Sequence, residues 1–424
     1  MIVRDRMIKS SIRSALKENQ IVIVEGIAGC GKSFTCKELA KSSYNLSSDD
    51  GRAAQLANII PSDALEGRYP HLVDEWLLAP ALVKYVLGKR LDLPNGALLF
   101  ASSISLDKYY RHQIEKCNWM KIIRLNTMSS FESGDSYSYI TLHRLFNVRK
   151  SIVLGAKQAS IQELSYLLFR GGFPQAVNTS DEDPLIKVMK ANTCVQNIID
   201  NGLDQIDGVK RSKSKLSLIM RALTIHQGEH VTNKKICEEI ESFGEETISR
   251  ETLSSYFKVL QDLFLVEDCP AWIPSLKGST KVNKSAARYF SDPAIAAHNL
   301  NIVPESLKYY PRAFECLFRT MCMRDLRIYA QAFNGKVYHF STRNGLKCDA
   351  VVQLDDGRYG LIEFTLGSDE EIEVEARMLK EVAGKIDIEK MGAPSFMMVL
   401  TGLSSVTYQR KDGVYVVPLL TLGQ

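Results

Sequence analysis

The 424-residue sequence has almost no excess charge of either sign: 53 Lys and Arg stand against 49 Asp and Glu, a formal net charge of +4. Composition therefore gives no general attraction to nucleic acid, and any basic partner surface must be local. A membrane-spanning run is also missing. The longest apolar stretch, at 76–88, is broken by Pro80 and Lys84 and falls short of the roughly 20 residues a bilayer-crossing helix needs. The N-terminal segment carries charges throughout and no apolar core, which argues against a signal peptide. The nine cysteines, at 30, 36, 117, 194, 237, 269, 316, 322 and 348, form no CxxC pair, and no His/Cys cluster has zinc spacing. That argues against a disulfide framework or a structural zinc site. What is present is ordinary globular material, 45% hydrophobic and 24% charged with 26 Gly and 13 Pro, which excludes a disordered or collagen-like chain. At roughly 150 residues per domain, two to three domains are expected. The expectation is a soluble, reduced, cytoplasmic, multidomain protein with no membrane partner.

Residues 21–25 (IVIVE) are a β-branched run that predicts a buried strand. Gly26-Ile27-Ala28-Gly29-Cys30-Gly31-Lys32-Ser33 follows at once, a full G-x-x-x-x-G-K-S, and 34–42 reads as a helix with Phe34, Leu39 and Ala40 available to pack. Strand, loop and helix stand in the order a phosphate loop requires. Glycines let successive N–H groups point inward, and the helix start adds positive partial charge. Gly26, Gly29, Cys30, Gly31, Lys32, Ser33 and Phe34 are the expected nucleotide contacts. Lys32 would grip the β- and γ-phosphates of ATP, and the Ser33 hydroxyl would ligate Mg²⁺. The Cys30 thiol is expected to make this site sensitive to oxidation or alkylation. A second short apolar strand ends in Asp74-Glu75. Asp74 would complete the Mg²⁺ site and Glu75 would polarise the attacking water. A third strand at 97–101 ends in Ser102-Ser103, where Ser103 would contact the γ-phosphate as in an additional-strand P-loop ATPase.

The segment 65–80 (LEGRYPHLVDEWLLAP), together with 128–134 (MSSFESG), Phe169-Arg170-Gly171-Gly172-Phe173-Pro174 and 412–418 (DGVYVVP), resembles a prokaryotic AAA-like P-loop ATPase family whose C-terminal domain is of unknown function. The resemblance runs over nearly the whole chain. It implies an α/β P-loop sheet with helices over 1–165, an all-α winged helix over 166–300 and an α/β restriction-endonuclease-like domain over 301–424. Two departures concern the ATPase. Ala101 stands where the family has threonine, leaving only Ser103 at the sensor. The following loop reads Tyr110-Arg111-His112-Gln113 in place of a Gly-Arg loop, so Arg111, Arg124 and Arg144 are the arginines on hand to meet phosphate.

In the middle region, 215–225 and 233–241 read as helices. A third, capped by Ser249, places Leu253, Tyr256, Phe257, Leu260, Leu263 and Phe264 on one face. The stretch 269–291 contains Lys277, Lys281, Lys284 and Arg288 and no acidic residue. Two readings stand for this region: a winged helix that serves only as a packing module, which is slightly favoured because Glu251 and Asp262 lie on the third helix, and a DNA or protein partner held through the winged helix and the basic stretch 277–288. In the last part, strands are expected at 336–340, 348–354 and 359–366, with a hairpin turn at Asp355-Asp356-Gly357. Glu315, Asp349 and Glu363 resemble the acidic set of a restriction-endonuclease-like site. Thr365 occupies the place of that fold's lysine, which points to a degenerate domain without cleavage. A helix at 372–388 is expected to bury Val374, Met378, Val382 and Ile386, leaving Arg377 and Lys380 in solvent. Three readings stay open: a Mg²⁺-dependent ATPase coupled to the C-terminal region, an ATP-gated scaffold with little turnover, and an ATP-regulated nuclease. Oligomeric state is not read from the sequence.

Overall fold

The computed structural model describes residues 5–88, 90–147, 153–155, 158–203, 206, 208–244, 246–278 and 280–423. The chain opens with α1 (Ile8–Glu18), then β1 (Ile21–Glu25), α2 (Lys32–Lys37), β2 (Ser42–Asn45), α3 (Arg52–Ile59), β3 (His71–Asp74), α4 (Pro80–Gly88), β4 (Leu98–Ser102), α5 (Lys108–Lys116) and β5 (Met120–Arg124). The five strands form one parallel sheet in the order β2-β3-β4-β1-β5. Every residue of β1, β3 and β4 is buried, as expected of central parallel strands covered on both faces. The strand carrying Ser102 thus lies between the strand that feeds the glycine loop and the strand that ends in Asp74. All loops at the strand C-termini converge on one edge, where α/β sheets place ligands.

The next segment does not stay with this sheet. β6 (Ile140–Thr141) pairs in parallel with the chain's last strand, β16 (Leu422–Gly423). After α6 (Leu142–Asn147), β7 (Val153–Gly155) pairs antiparallel with β14 (Val406–Gln409). Before residue 165, then, β7 already belongs to the C-terminal sheet, while β6 and β16 form a separate two-stranded sheet. Then come α7 (Ile161–Arg170), α8 (Pro174–Val177) and the long α9 (Pro184–Gly202).

The three helices expected in the middle region are present. α10 (Lys213–Thr224), α11 (Asn233–Ser242) and α12 (Arg250–Asp262) precede an antiparallel pair, β8 (Val266–Cys269) and β9 (Ala287–Phe290). The unit is therefore not all-α. The Ser249 side chain accepts from the Thr252 N–H and caps α12 as its sequence position predicts. The β8–β9 connection lies along the C-terminal domain, with bridges from Ala271 to His339, Leu276 to Ile386 and Val282 to Thr342. Lys277, Lys281 and Lys284 are exposed on this strap. Arg288 is held at home: it stacks over Phe257 at 4.3 Å and faces Asp268 at 3.8 Å.

After α13 (Pro293–His298) and α14 (Pro311–Gln331), the C-terminal domain runs β10 (Gly335–Ser341), β11 (Lys347–Leu354), β12 (Tyr359–Thr365), α15 (Asp369–Lys385), α16 (Ile388–Met391), β13 (Phe396–Thr401), β14 and β15 (Tyr415–Pro418). The sheet order is β10-β11-β12-β13-β15-β14-β7. β10, β11 and β12 are antiparallel, and β12 then pairs in parallel with β13 after the α15 crossover. The buried face of α15 is Ile372, Ala376, Leu379 and Val382, while Val374 is exposed at 53%. Val382 and Ile386 are buried as expected, Met378 is half-buried, and the helix starts earlier than expected, at Asp369, because Ser368 and Glu371 form a capping box. Arg377 and Lys380 are in solvent as expected.

One continuous buried cluster runs from α1 and β1 through α7, α9 and α10–α12 to α14 and the C-terminal sheet. The N-terminal sheet, the middle helices and the C-terminal sheet therefore share a core. All nine cysteines are free. Among the described residues no helix is long and apolar enough to cross a membrane.

Candidate nucleotide site

The glycine loop sits at the C-terminal end of β1. Gly29 and Gly31 take left-handed φ values of 77° and 101°, a curl that residues with a Cβ resist. α2 starts at Lys32 and has only six residues. Lys32 is 4% exposed, and its Nζ donates to the carbonyls of Gly26 (2.9 Å) and Ile27 (3.0 Å). It lines a cavity of about 500 Å³ together with Gly31, Ser33, Thr35 and Glu75. Phe34 does not pack as expected. It is 47% exposed and also lines that cavity. Leu39 and Ala40 do pack against the core.

Cys30 departs from its expected role. It is fully buried, and its thiol points to the carbonyl of Leu125 at 3.4 Å, into the core and away from solvent reagents. The loop is instead braced by Arg6. Its Nη1 donates to the Cys30 carbonyl at 2.7 Å, its Nη2 to the Asn126 carbonyl at 2.6 Å, and its Nε to Glu132 at 3.1 Å. No sequence pattern points to Arg6, which lies twenty residues before the motif on the chain. Arg111, Arg124 and Arg144 are not at the phosphate cavity. Arg111 pairs with Glu25 at 2.7 Å, Arg124 pairs with Glu267 and stacks over Phe264, and Arg144 is exposed on α6.

Asp74 ends β3 and is 3% exposed, with its Oδ1 buried and lacking a hydrogen-bond partner. A buried carboxylate oxygen left this way is costly unless a cation or water meets it. Beside Asp74, the Cys36 thiol is pushed well above its ordinary value by burial first and by the Asp74 charge second, so it stays neutral. Glu75 takes a left-handed backbone, φ 54°, ψ 40°. This turns its side chain toward β4, where Ser103 donates its N–H to one carboxylate oxygen (2.9 Å) and its hydroxyl to the other (2.5 Å). Ser103 therefore engages Glu75 directly, a role its sequence position did not announce.

The Gly171-Gly172-Phe173-Pro174 motif closes over the loop from the other side. Phe173 is fully buried at the face of Gly29, and Pro174 stands at the face of Gly31. The Gly172 N–H donates to Asp292 (2.9 Å), which also accepts from Thr127 (2.5 Å) and pairs with Arg324 (3.2 Å). Arg324 in turn pairs with Asp325 at 2.8 Å, and Asp325 accepts from the Ser130 N–H at 3.1 Å. Asp292, Arg324 and Asp325 are each at most 3% exposed. This buried set joins the end of β5, the hinge before α8 and α14.

The acidic residues of the last part, with Thr365, lie in the C-terminal domain. Asp349 and Glu363 stand on β11 and β12, and Glu315 is on α14. The Arg319 guanidinium sits among them, 2.5 Å from Asp349 and 3.0 Å from Glu315. The remaining Asp349 oxygen accepts the Phe364 N–H at 3.0 Å. Burial raises the Asp349 carboxyl, but the Arg319 charge, followed by that of Lys347, overrides it and holds it at about 2. Glu363 is pushed well above its ordinary value by burial and by Asp349. Thr365 donates to Glu371 at 2.6 Å. Arg319 and the Phe364 N–H thus occupy the Asp349 oxygens, both Glu363 oxygens are buried without a hydrogen-bond partner, and among the described residues there is no group of three or more His, Cys, Asp or Glu placed to hold a metal ion.

With this geometry in hand, comparisons add little to the functional reading. A family model described as a domain of unknown function, DUF8612, matches residues 161–306. That span begins at α7 and ends just before α14, so it takes in α7 to α13 with the β8–β9 pair. Among solved structures, a Walker-type ATPase of Pyrococcus abyssi is similar at 10% identity and a TM-score of 0.41, covering 70% of this chain and 96% of that one. No curated protein matches.

Proposed function

We propose that the chain is a Mg²⁺-dependent ATPase of P-loop type, whose nucleotide state is passed to the winged-helix and nuclease-like parts. The observation that carries this reading is the adjacency of three features at one sheet edge: the glycine loop with Lys32, the orphaned Asp74 oxygen, and Glu75 beside the same cavity. Ser33 and Asp74 would hold Mg²⁺, which when bound neutralises charge on the β- and γ-phosphates. Lys32 would exchange its two loop carbonyls for phosphate oxygens, gaining a charged partner for a neutral one. Gly29, Gly31 and the start of α2 present N–H groups to the phosphates. Glu75 orients water toward the γ-phosphorus; the new O–P bond forms as the bond to ADP breaks, and the water proton passes to the Glu75 side.

The hydrogen-bonded path Cys30–Arg6–Glu132, together with the Thr127–Asp292–Gly172 link, supports transmission of loop position to α8 and α14. The β10-β11-β12-α15-β13 order supports a restriction-endonuclease-like ancestry for the last domain, with Arg319 in the metal's place. The hold of Ser103 on Glu75 favours a second reading, slow turnover that suits an ATP-gated scaffold. DNA is then a partner to test through the exposed Lys277, Lys281 and Lys284. The deciding experiment compares wild type with Glu75→Gln and Lys32→Ala. Glu75→Gln should bind ATP and lose turnover, whereas Lys32→Ala should lose binding. A Glu75→Gln protein that hydrolyses ATP at the wild-type rate overturns the assignment of the water-orienting group.

A further inference from the structure

Beyond Glu75, on the side away from Ser33 and Phe34, the site opens into a second chamber of about 750 Å³. The two cavities share Ala28, Gly29, Glu75, Ser103 and Gln175. The phosphate cavity is bordered by the loop's end and the start of α2. The chamber touches only the crown of the loop, so it lies on the terminal-phosphate side. Its far wall is α9, which presents Cys194, Asn197, Ile198 and Asn201 at i, i+3, i+4 and i+7, one helix face. Leu46, Ala54, Leu78 and Leu263 supply apolar walls. The roof is tied down, since the Ser105 N–H donates to the Asp262 carbonyl at 2.7 Å.

Two properties define the occupant. The size is that of a small-molecule site and far exceeds the space of one attacking water. Among the described lining residues there is no cation, and Glu75 is the one carboxylate. An anionic ligand would be repelled there and left without a counter-charge. Three carboxamides, Gln175, Asn197 and Asn201, offer both donors and acceptors to neutral hydroxyls, while the aliphatic walls suit the C–H face of such a molecule.

We propose that this chamber binds a neutral, hydroxylated small molecule and that the γ-phosphoryl group of ATP is transferred to it. The inference rests on the ATP reading of the adjoining cavity and names a second substrate for it. An acceptor hydroxyl oxygen attacks the γ-phosphorus from the Glu75 side. An O–P bond to the acceptor forms, the bond from the γ-phosphorus to the bridging oxygen breaks, ADP leaves, and the hydroxyl proton passes to the Glu75 carboxylate. Water entering the same chamber gives the slower hydrolysis.

The test uses the full chain with Mg-ATP and either glycerol or D-glucose as acceptor, with products resolved by phosphorus NMR and ATP binding followed with a fluorescent ATP analogue. The expected result is acceptor phosphate formed with at least one probe, at about tenfold or more above the ratio of acceptor hydroxyl to water, because a bound acceptor is already positioned. Asn197 and Asn201 are exposed to the chamber, so the double variant Asn197→Leu, Asn201→Leu should keep ATP binding and phosphate release while losing the acceptor product. Formation of inorganic phosphate alone with both probes overturns the transfer and leaves the ATPase reading standing. Acceptor product that persists unchanged in the double variant also overturns it, since the chamber is then not the acceptor site. Absence of ATP binding in the wild type overturns the ATP reading and this inference together.

Discussion

Ser103 grips both oxygens of Glu75, one through its backbone N–H at 2.9 Å and the other through its hydroxyl at 2.5 Å. A carboxylate held by two donors has fewer lone pairs free to orient a nucleophile. Ser103→Ala removes the hydroxyl and keeps the N–H. The expected outcome is a rise in the ATP turnover number, on the order of tenfold if the lost bond has the strength usual for a charged acceptor, with the KM for ATP unchanged. Steady-state phosphate release measures it. A fall in turnover would mean that the hydroxyl positions Glu75 productively.

Arg6 is 6% exposed and Glu132 is 4% exposed. Arg6→Ala leaves the Glu132 charge and the Cys30 and Asn126 carbonyls buried without their partner. Truncating one member of a buried pair costs about 3–5 kcal/mol. Thermal unfolding should move down accordingly, and Arg6→Lys should not restore it because one ammonium cannot span three directions. Addition of Mg-ATP should recover part of the loss if the loop regains order on binding.

Gly171 has φ 59°, and a Cβ there would stand 2.0 Å from Asp292 Oδ1. Gly171→Ala is therefore expected to destabilise by about 3 kcal/mol through strain and displacement of a buried carboxylate. Because Asp292 also holds Thr127 and Gly172, the variant should weaken ATP binding as well. Denaturant unfolding paired with nucleotide titration separates the two effects, and normal stability would show that the hinge relaxes freely.

Replacing Thr365 by lysine restores the residue that the nuclease-like pattern lacks. The geometry predicts that this is not enough. Arg319 still occupies Asp349 at 2.5 Å, so Thr365→Lys should show no metal-dependent cleavage of plasmid or linear DNA. Cleavage by the single variant would mean that Arg319 yields to a metal.

The His339 ring lies tilted against His230, centroids 4.3 Å apart, and meets the Ser285 carbonyl through Nε2 at 3.1 Å. Burial, and then the neighbouring His230, lowers its value from 6.5 to about 4. The unfolded chain therefore binds this proton more readily than the folded one, and stability is fully present above pH 6.5 and lost as pH falls from there toward 4. Melting curves across that window should show the slope in wild type and a shallower one in His339→Gln.

The phosphate loop, the Asp74-Glu75 pair, the Ser249 cap and most strand bounds were legible in sequence because each rests on local rules: glycine spacing, capping chemistry, and period two against period 3.6. The turn at Asp355-Asp356-Gly357 was legible for the same reason, with Gly357 at φ 89°. The start of α15 was missed because its first turn is polar, although Val382 and Ile386 on its buried face were legible. Other facts depend on residues far apart in the chain. Arg6 reaches Glu132, Ser103 reaches back to Glu75, Arg319 fills the acidic site, and β7 joins a sheet begun some 180 residues later. Local pattern determined which elements form and which residue types could carry phosphate chemistry. Tertiary packing alone decided which charges meet, because a buried ion pair is set by the geometry that brings two surfaces together and leaves no periodic trace in either one. It also placed α9 across from Glu75, and so gave the glycine loop a second chamber to face.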